Sequence, residues 1–189
     1  MEADWAAEVG PDLPSIDVPW EGFVDLRQDP SAVLALAEAA AHPALRESLL
    51  ALNTEHSHMF TAKCDAWTLA RYDIDPDEFA AQAEQAHEGF ASYIDMLHRD
   101  PTRLASFEFH ERWVRGLTDR LRKISLPNGH VDLVIRPAST DSFPGYGLTL
   151  YAAGCGADAP TAYSSWEDVL RAAVTATINL DSSVSLTGE

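Results

Sequence analysis

A run of strict alternation limits most severely what this chain can fold into. Phe60, Ala62, Cys64, Ala66 and Thr68 are small or apolar, while Thr61, Lys63, Asp65 and Trp67 fall on the opposite parity. Successive side chains leave a strand on opposite sides, so a period of two marks a β-strand, here over residues 60 to 72, with one core face and one polar face. The same alternation returns at Val131, Leu133 and Ile135 and again at Leu148, Leu150 and Ala152. The Ser, Asp, Pro and Gly residues between those two runs suggest a hairpin.

Helical signals lie between the strands. Asp29-Pro30 opens a helix to about Ala41, and Pro43 opens a second with Leu45, Leu49 and Leu52 on one side. Asp75-Pro76 with Glu78 reads as a capped start, and Phe79, Ala83, Ala86, Phe90, Tyr93 and Leu97 recur at helical spacing to His98. Asp100-Pro101 starts another helix through Val114, Leu117 and Leu121 to the stop at Pro127-Asn128-Gly129. The short link at Arg99 would make these two antiparallel neighbours. Ser164 and Glu167 open a last helix carrying Trp166, Leu170 and Val174. The expected fold is α+β, a small antiparallel sheet of three or more strands covered by amphipathic helices that include a long antiparallel helix pair. Residues 1–28, acidic and broken by Pro11, Pro14 and Pro19, read as an extended arm, 29–180 as one α+β domain, and 181–189 as a polar tail.

At 189 residues the chain needs no metal or disulfide to hold a core. Thirty acids against thirteen bases give a net charge of −17, which argues against direct binding to nucleic acid or to an anionic membrane and favours a basic partner. No run reaches the length of a membrane span and the start lacks a basic leader, so a cytoplasmic location is expected, with Cys64 and Cys155 as free thiols. Seven bases, Arg99, Arg103, Arg112, Arg115, Arg120, Arg122 and Lys123, gather around the helix of residues 101 to 124. They read as a solvated face whose stems cover apolar surface, with reception of the acidic arm as the alternative.

His56 and His58, two apart on an extended loop, are the nearest approach to a metal site, with Asp65 or Cys64 as further ligands. Neither a helical HExxH nor a paired CxxC accompanies them, so the plainer reading is two loop histidines, and no cofactor is expected beyond that lesser case of a divalent metal. His110, beside the stripe of Val114 and Leu117, reads as a packed core histidine, and the Gly-x-Gly at 154–156 lacks the spacing of a phosphate loop. The row Lys63, Asp65 and Trp67 is the candidate partner surface, since tryptophan is enriched at binding hot spots. The favoured function is an acidic protein-binding or accessory module that takes a basic protein or a second copy of itself. The competing class is a small-ligand or metal-dependent enzyme with a His/Asp site near residues 56–65 and His110 nearby.

Overall fold

The computed structural model describes residues 1–141 and 143–184. In chain order it contains β1 (Glu2–Ala7), β2 (Ile16–Val18), a 3-10 turn at Pro30–Ala35, α1 (Ala37–Ala41), α2 (Pro43–Leu52) and β3 (Met59–Leu69). After 3-10 turns at Arg71–Asp73 and Ala83–Gln85 come β4 (Glu88–His98), α3 (Pro101–Leu104), α4 (Phe107–Leu121), β5 (Gly129–Thr140), β6 (Phe143–Gly156) and α5 (Ala159–Val184). The strands form one six-stranded sheet in the order β1, β5, β6, β4, β3, with β2 following β1 along the outer edge of β5. The expected 181–189 tail is in part the end of α5, and residues 185–189 lie outside the described residues.

The α+β class holds, but the sheet is larger than expected and mixed, because β1 and β2 pair with β5 in parallel. The residues 1–28 supply both strands. Ala3 and Trp5 alternate with Glu2 and Asp4, and Ala3 is fully buried. The Met1 ammonium donates to the Ile124 carbonyl at 3.0 Å, and Arg122 reaches both the Ala3 carbonyl and, at 2.7 Å, the Asp4 carboxylate. With the Arg115 guanidinium 4.8 Å from the Trp5 ring centre, the basic helix α4 holds the acidic N-terminus of its own chain.

No long antiparallel helix pair is present among the described residues. The stretch read as a helix from residue 76 to 98 is a turn followed by β4. Asp75 Oδ1 does accept from the Asp77 N–H at 3.0 Å, but Ala80 takes a positive φ of 48° and halts the turn. The apolar positions at 86, 90, 93 and 97 fit helical spacing, yet Phe90, Ser92, Ile94 and Met96 also alternate with Ala91, Tyr93, Asp95 and Leu97. Hydrogen bonding to β3 on one side and β6 on the other selects the second pattern, as tertiary pairing overrides local propensity. The helix expected over 101–124 divides at Ser106, whose hydroxyl caps α4 by accepting from the Phe109 N–H.

All the longer helices cover one face of the sheet. Val131, Leu133 and Ile135 of β5, Leu148, Leu150 and Ala152 of β6, and Ile94 and Met96 of β4 meet Leu45 and Leu49 of α2, Val114 and Leu117 of α4 and Trp166, Leu170 and Ala173 of α5 in one core. α5 starts at Asp158, which accepts from the Thr161 N–H, and it runs close against β6. A Cβ on Gly154 would stand 2.1 Å from the Trp166 backbone nitrogen, and one on Gly156 would stand 2.5 Å from that of Ala162. The Gly-x-Gly therefore lets a helix lie against a strand, and Trp166 donates from Nε1 to Ser92 Oγ at 2.9 Å across the contact. Gly154→Ala is expected to lower stability by about 3 kcal/mol, because backbone atoms on both sides cannot yield. Urea denaturation followed by circular dichroism checks this, with the midpoint falling and the slope unchanged.

Candidate functional site

Among the described residues no helix layer covers the middle of the second face of the sheet, which is capped at both ends. At one end Ile16 and Val18 of β2, with Phe23, pack on Phe60, Ala62, Leu97, Leu104 and Ala138. At the other, Ile74, Phe79 and Ala86 from the connection after β3 pack on Cys155, Leu69 and Ala153. Strand register places a polar band between the caps: Lys63, Asp65 and Trp67 on β3, Tyr93 and Asp95 on β4, Thr149 and Tyr151 on β6, and Asp132, Val134 and Arg136 on β5.

The floor of the band is a connected set of buried polar groups. Thr149 Oγ1 donates to Asp95 Oδ1 at 2.6 Å and accepts from Arg136 Nε at 3.0 Å. Arg136 also donates from Nη2 to the Tyr151 hydroxyl at 3.3 Å, and its Nη1 lies 2.9 Å from Glu8 Oε2. Asp95 is 8% exposed, Thr149 1% and Arg136 9%, so each relies on its neighbours for polar contacts. Burial raises the Asp95 carboxyl above the ordinary carboxylate value, against the Thr149 hydrogen bond and the nearby Arg136 and Lys63 charges. Burial, with Asp95 beside it, raises Tyr93 to about 12.

Aromatic groups border the floor. Tyr93 lies 6.3 Å from Trp67 and 5.9 Å from Tyr151, ring centre to ring centre, and Trp67 is 37% exposed. The register shift between Thr61 and Lys63 puts Lys63, Asp65 and Trp67 together on this face, while Cys64 turns toward the helices. Phe60 stays on the capped face, so the expected single apolar row from Phe60 to Thr68 is broken at the bulge. Asp65 Oδ1 accepts from the Ala66 N–H at 2.7 Å, and Trp20 Nε1 donates to the Ala62 carbonyl at 3.2 Å. A cavity of about 430 Å³ lies beside this edge, lined by Trp20, Leu36, Glu38, Thr61, Lys63, Cys64 and Tyr93 among others.

The histidines named from sequence are not gathered with Asp65. His56 stands out in solvent near Glu55. His58 stacks on His98 with ring centres 6.1 Å apart, and His98 meets Phe109. His110 is buried in α4, donates from Nδ1 to the Ser106 carbonyl at 2.8 Å, and burial lowers its pKa. Among the described residues, the three-residue group with the spacing of metal ligands is Asp4, His130 and Asp132, at the β1 side of the band. Sequence reasoning missed Asp95 and Tyr93 because their strand read as a helix. Thr149, Tyr151 and Arg136 were not singled out either, and the signal that could have found them is the opposite parity of the Leu148 and Ile135 alternations.

Burial pushes the Cys64 thiol to about 12 and the Cys155 thiol to about 11. Both are expected to stay unreactive toward a disulfide reagent at about pH 8 in the folded protein and to react at once in denaturant, read as released chromophore. Asp95 should also leave a trace in the pH dependence of stability. Its folded pKa is raised above the unfolded 3.8, so the folded state holds the extra proton and stability falls as pH rises from that value through the folded one. Asp95→Asn keeps an acceptor for Thr149 and removes the charge. Denaturant titration should find this variant at least as stable as the parent at about pH 7, with the difference gone at about pH 3.

Comparison of the chain with protein-family models, with curated proteins and with solved structures finds no match.

Proposed function

We propose that this chain is a protein-binding module whose open sheet face receives a basic segment of another protein. The observation that carries the reading is the band itself: three part-exposed aromatic rings, Trp67, Tyr93 and Tyr151, around a floor of hydrogen bonds, with no helix of the described residues over it. Aromatic anchors held by a rigid polar floor lose little entropy on binding. Asp65, Asp95, Asp132 and Glu8 outnumber Lys63 and Arg136 on or beside the band, and the whole chain carries −17, so the complementary surface is positive. No helix among the described residues is long and apolar enough to cross a membrane.

The competing small-ligand reading is supported by the cavity of about 430 Å³, which shares Lys63 and Tyr93 with the band. Leu36→Trp, which fills that cavity, would displace a co-purifying small ligand in native mass spectrometry under this second reading and would leave partner capture intact under the first.

Trp67→Ala separates binding from stability. Its ring is exposed at the sheet edge, so truncation should lower stability by less than about 1 kcal/mol while weakening the partner by about 2 kcal/mol. Affinity capture at low salt with parent and variant baits, beside thermal melts of each, measures both. Retention of one stoichiometric basic protein by the parent, lost with Trp67→Ala and at high salt, is the expected result. Equal retention by both baits removes the band as the binding surface, and a dimer in light scattering with no retained protein replaces the basic partner by a second copy of the chain.

A further inference from the structure

We propose that Asp4, His130 and Asp132 form a binding site for one divalent transition-metal ion of the zinc class. The register of β1 against β5 sets Asp4 directly across from Asp132, and His130 lies two residues before Asp132 on the same face of β5. Three ligand-bearing side chains thus rise from two hydrogen-bonded strands, and one ligand atom from each lies within 4.8 Å of the others. Strand-borne ligands are held more firmly than ligands on a loop.

The orientation of the imidazole points to a cation. His130 Nδ1 lies 2.8 Å from the Glu78 carbonyl oxygen, which can only accept, so Nδ1 carries the hydrogen. The other ring nitrogen, Nε2, lies 2.9 Å from Asp132 Oδ2. A neutral imidazole would then turn a lone pair toward a carboxylate oxygen, and two acceptors do not hold that separation unless a positive species lies between them. A proton on Nε2 is one such species. A metal ion is the other, taking the place of that proton, which goes to solvent.

The surroundings match what ligands of a metal need. A metal-binding histidine usually gives its second N–H to a carbonyl or carboxylate, as His130 does to Glu78, and the Phe79 ring packs 5.9 Å from the imidazole. Arg122 Nη2 holds Asp4 Oδ1 at 2.7 Å, which leaves Oδ2 to ligate. The half-exposed Asp132 carboxylate can back away to the distance of about 2.1 Å that zinc requires from each ligand. Two carboxylates neutralise a dication, one imidazole favours zinc over calcium or magnesium, and water completes a tetrahedral shell. This is a different place from the loop of His56 and His58.

Calorimetric titration of the chelator-treated full chain with Zn²⁺, beside Co²⁺ titration read by visible absorption, tests the site. The expected result is one equivalent per chain and the intense visible band of four-coordinate Co²⁺. His130→Ala should weaken Zn²⁺ binding at least about 100-fold, and Asp4→Asn, a change at an exposed edge position, about tenfold. His56→Ala should leave affinity unchanged. Circular dichroism of each variant shows whether it is folded, and Asp4→Asn decides the matter if His130→Ala is not. Binding weaker than about 1 mM in the parent overturns the proposal. So does binding that survives in the folded variants, or that is lost with His56→Ala instead.

Discussion

A buried guanidinium sets the terms for the rest of this structure. Arg136 lies on a sheet face with almost no exposure, and such a group is tolerated only where acceptors surround it. Thr149 and Tyr151 accept hydrogen bonds from it, Glu8 pairs with its charge, and Thr149 hands the connection on to Asp95. The chain of contacts runs from the end of β1 through β5 and β6 to β4. It ties the acidic N-terminal segment to the middle of the sheet, and it makes that face unsuitable for an apolar helix. A helix laid over Asp95 and Arg136 would strip them of their remaining water and return nothing for it. The helices accordingly gather on the opposite face.

The covered face solves a different problem. Its strands present aliphatic side chains to α2, α4 and α5, and α5 comes closest where Gly154 and Gly156 remove the Cβ atoms. Trp166 fills the resulting contact and satisfies its indole N–H on Ser92. The Arg122 contacts to Ala3 and Asp4 then fasten the outer edge, so both edges of the sheet are partly guarded. At the β3 edge that guard is the Asp65 carboxylate on the Ala66 N–H and the Trp20 indole on the Ala62 carbonyl.

How much of this could be read from sequence depended on whether one pattern stood alone. β3, β5 and β6 were legible, since no helical spacing competes with their alternation, and α2, α4 and α5 were legible from caps and stripes. β4 was not, because Ala86, Phe90, Tyr93 and Leu97 satisfy both periods and only its two neighbours in the sheet choose between them. β1 and β2 were hidden because short, acid-bearing edge strands set among Pro11, Pro14 and Pro19 carry little apolar signal of their own. The row Lys63, Asp65 and Trp67 could be placed on one face, but the Asp95 floor beneath it lay in the misread strand. The Asp4, His130 and Asp132 group joins residues more than a hundred positions apart, which no local spacing reveals.

The central claim is that the open sheet face is the recognition surface. Its most direct test is fluorine NMR of the chain carrying 5-fluorotryptophan, titrated with a short lysine- and arginine-rich peptide. The chain has five tryptophans, at positions 5, 20, 67, 113 and 166, and each resonance is assigned by replacing one tryptophan with phenylalanine. The account predicts that the Trp67 resonance moves with saturation and returns on adding salt, while Trp113 and Trp166, on the covered side, stay fixed. A titration in which Trp67 does not move, or in which Trp113 and Trp166 move without it, contradicts the account.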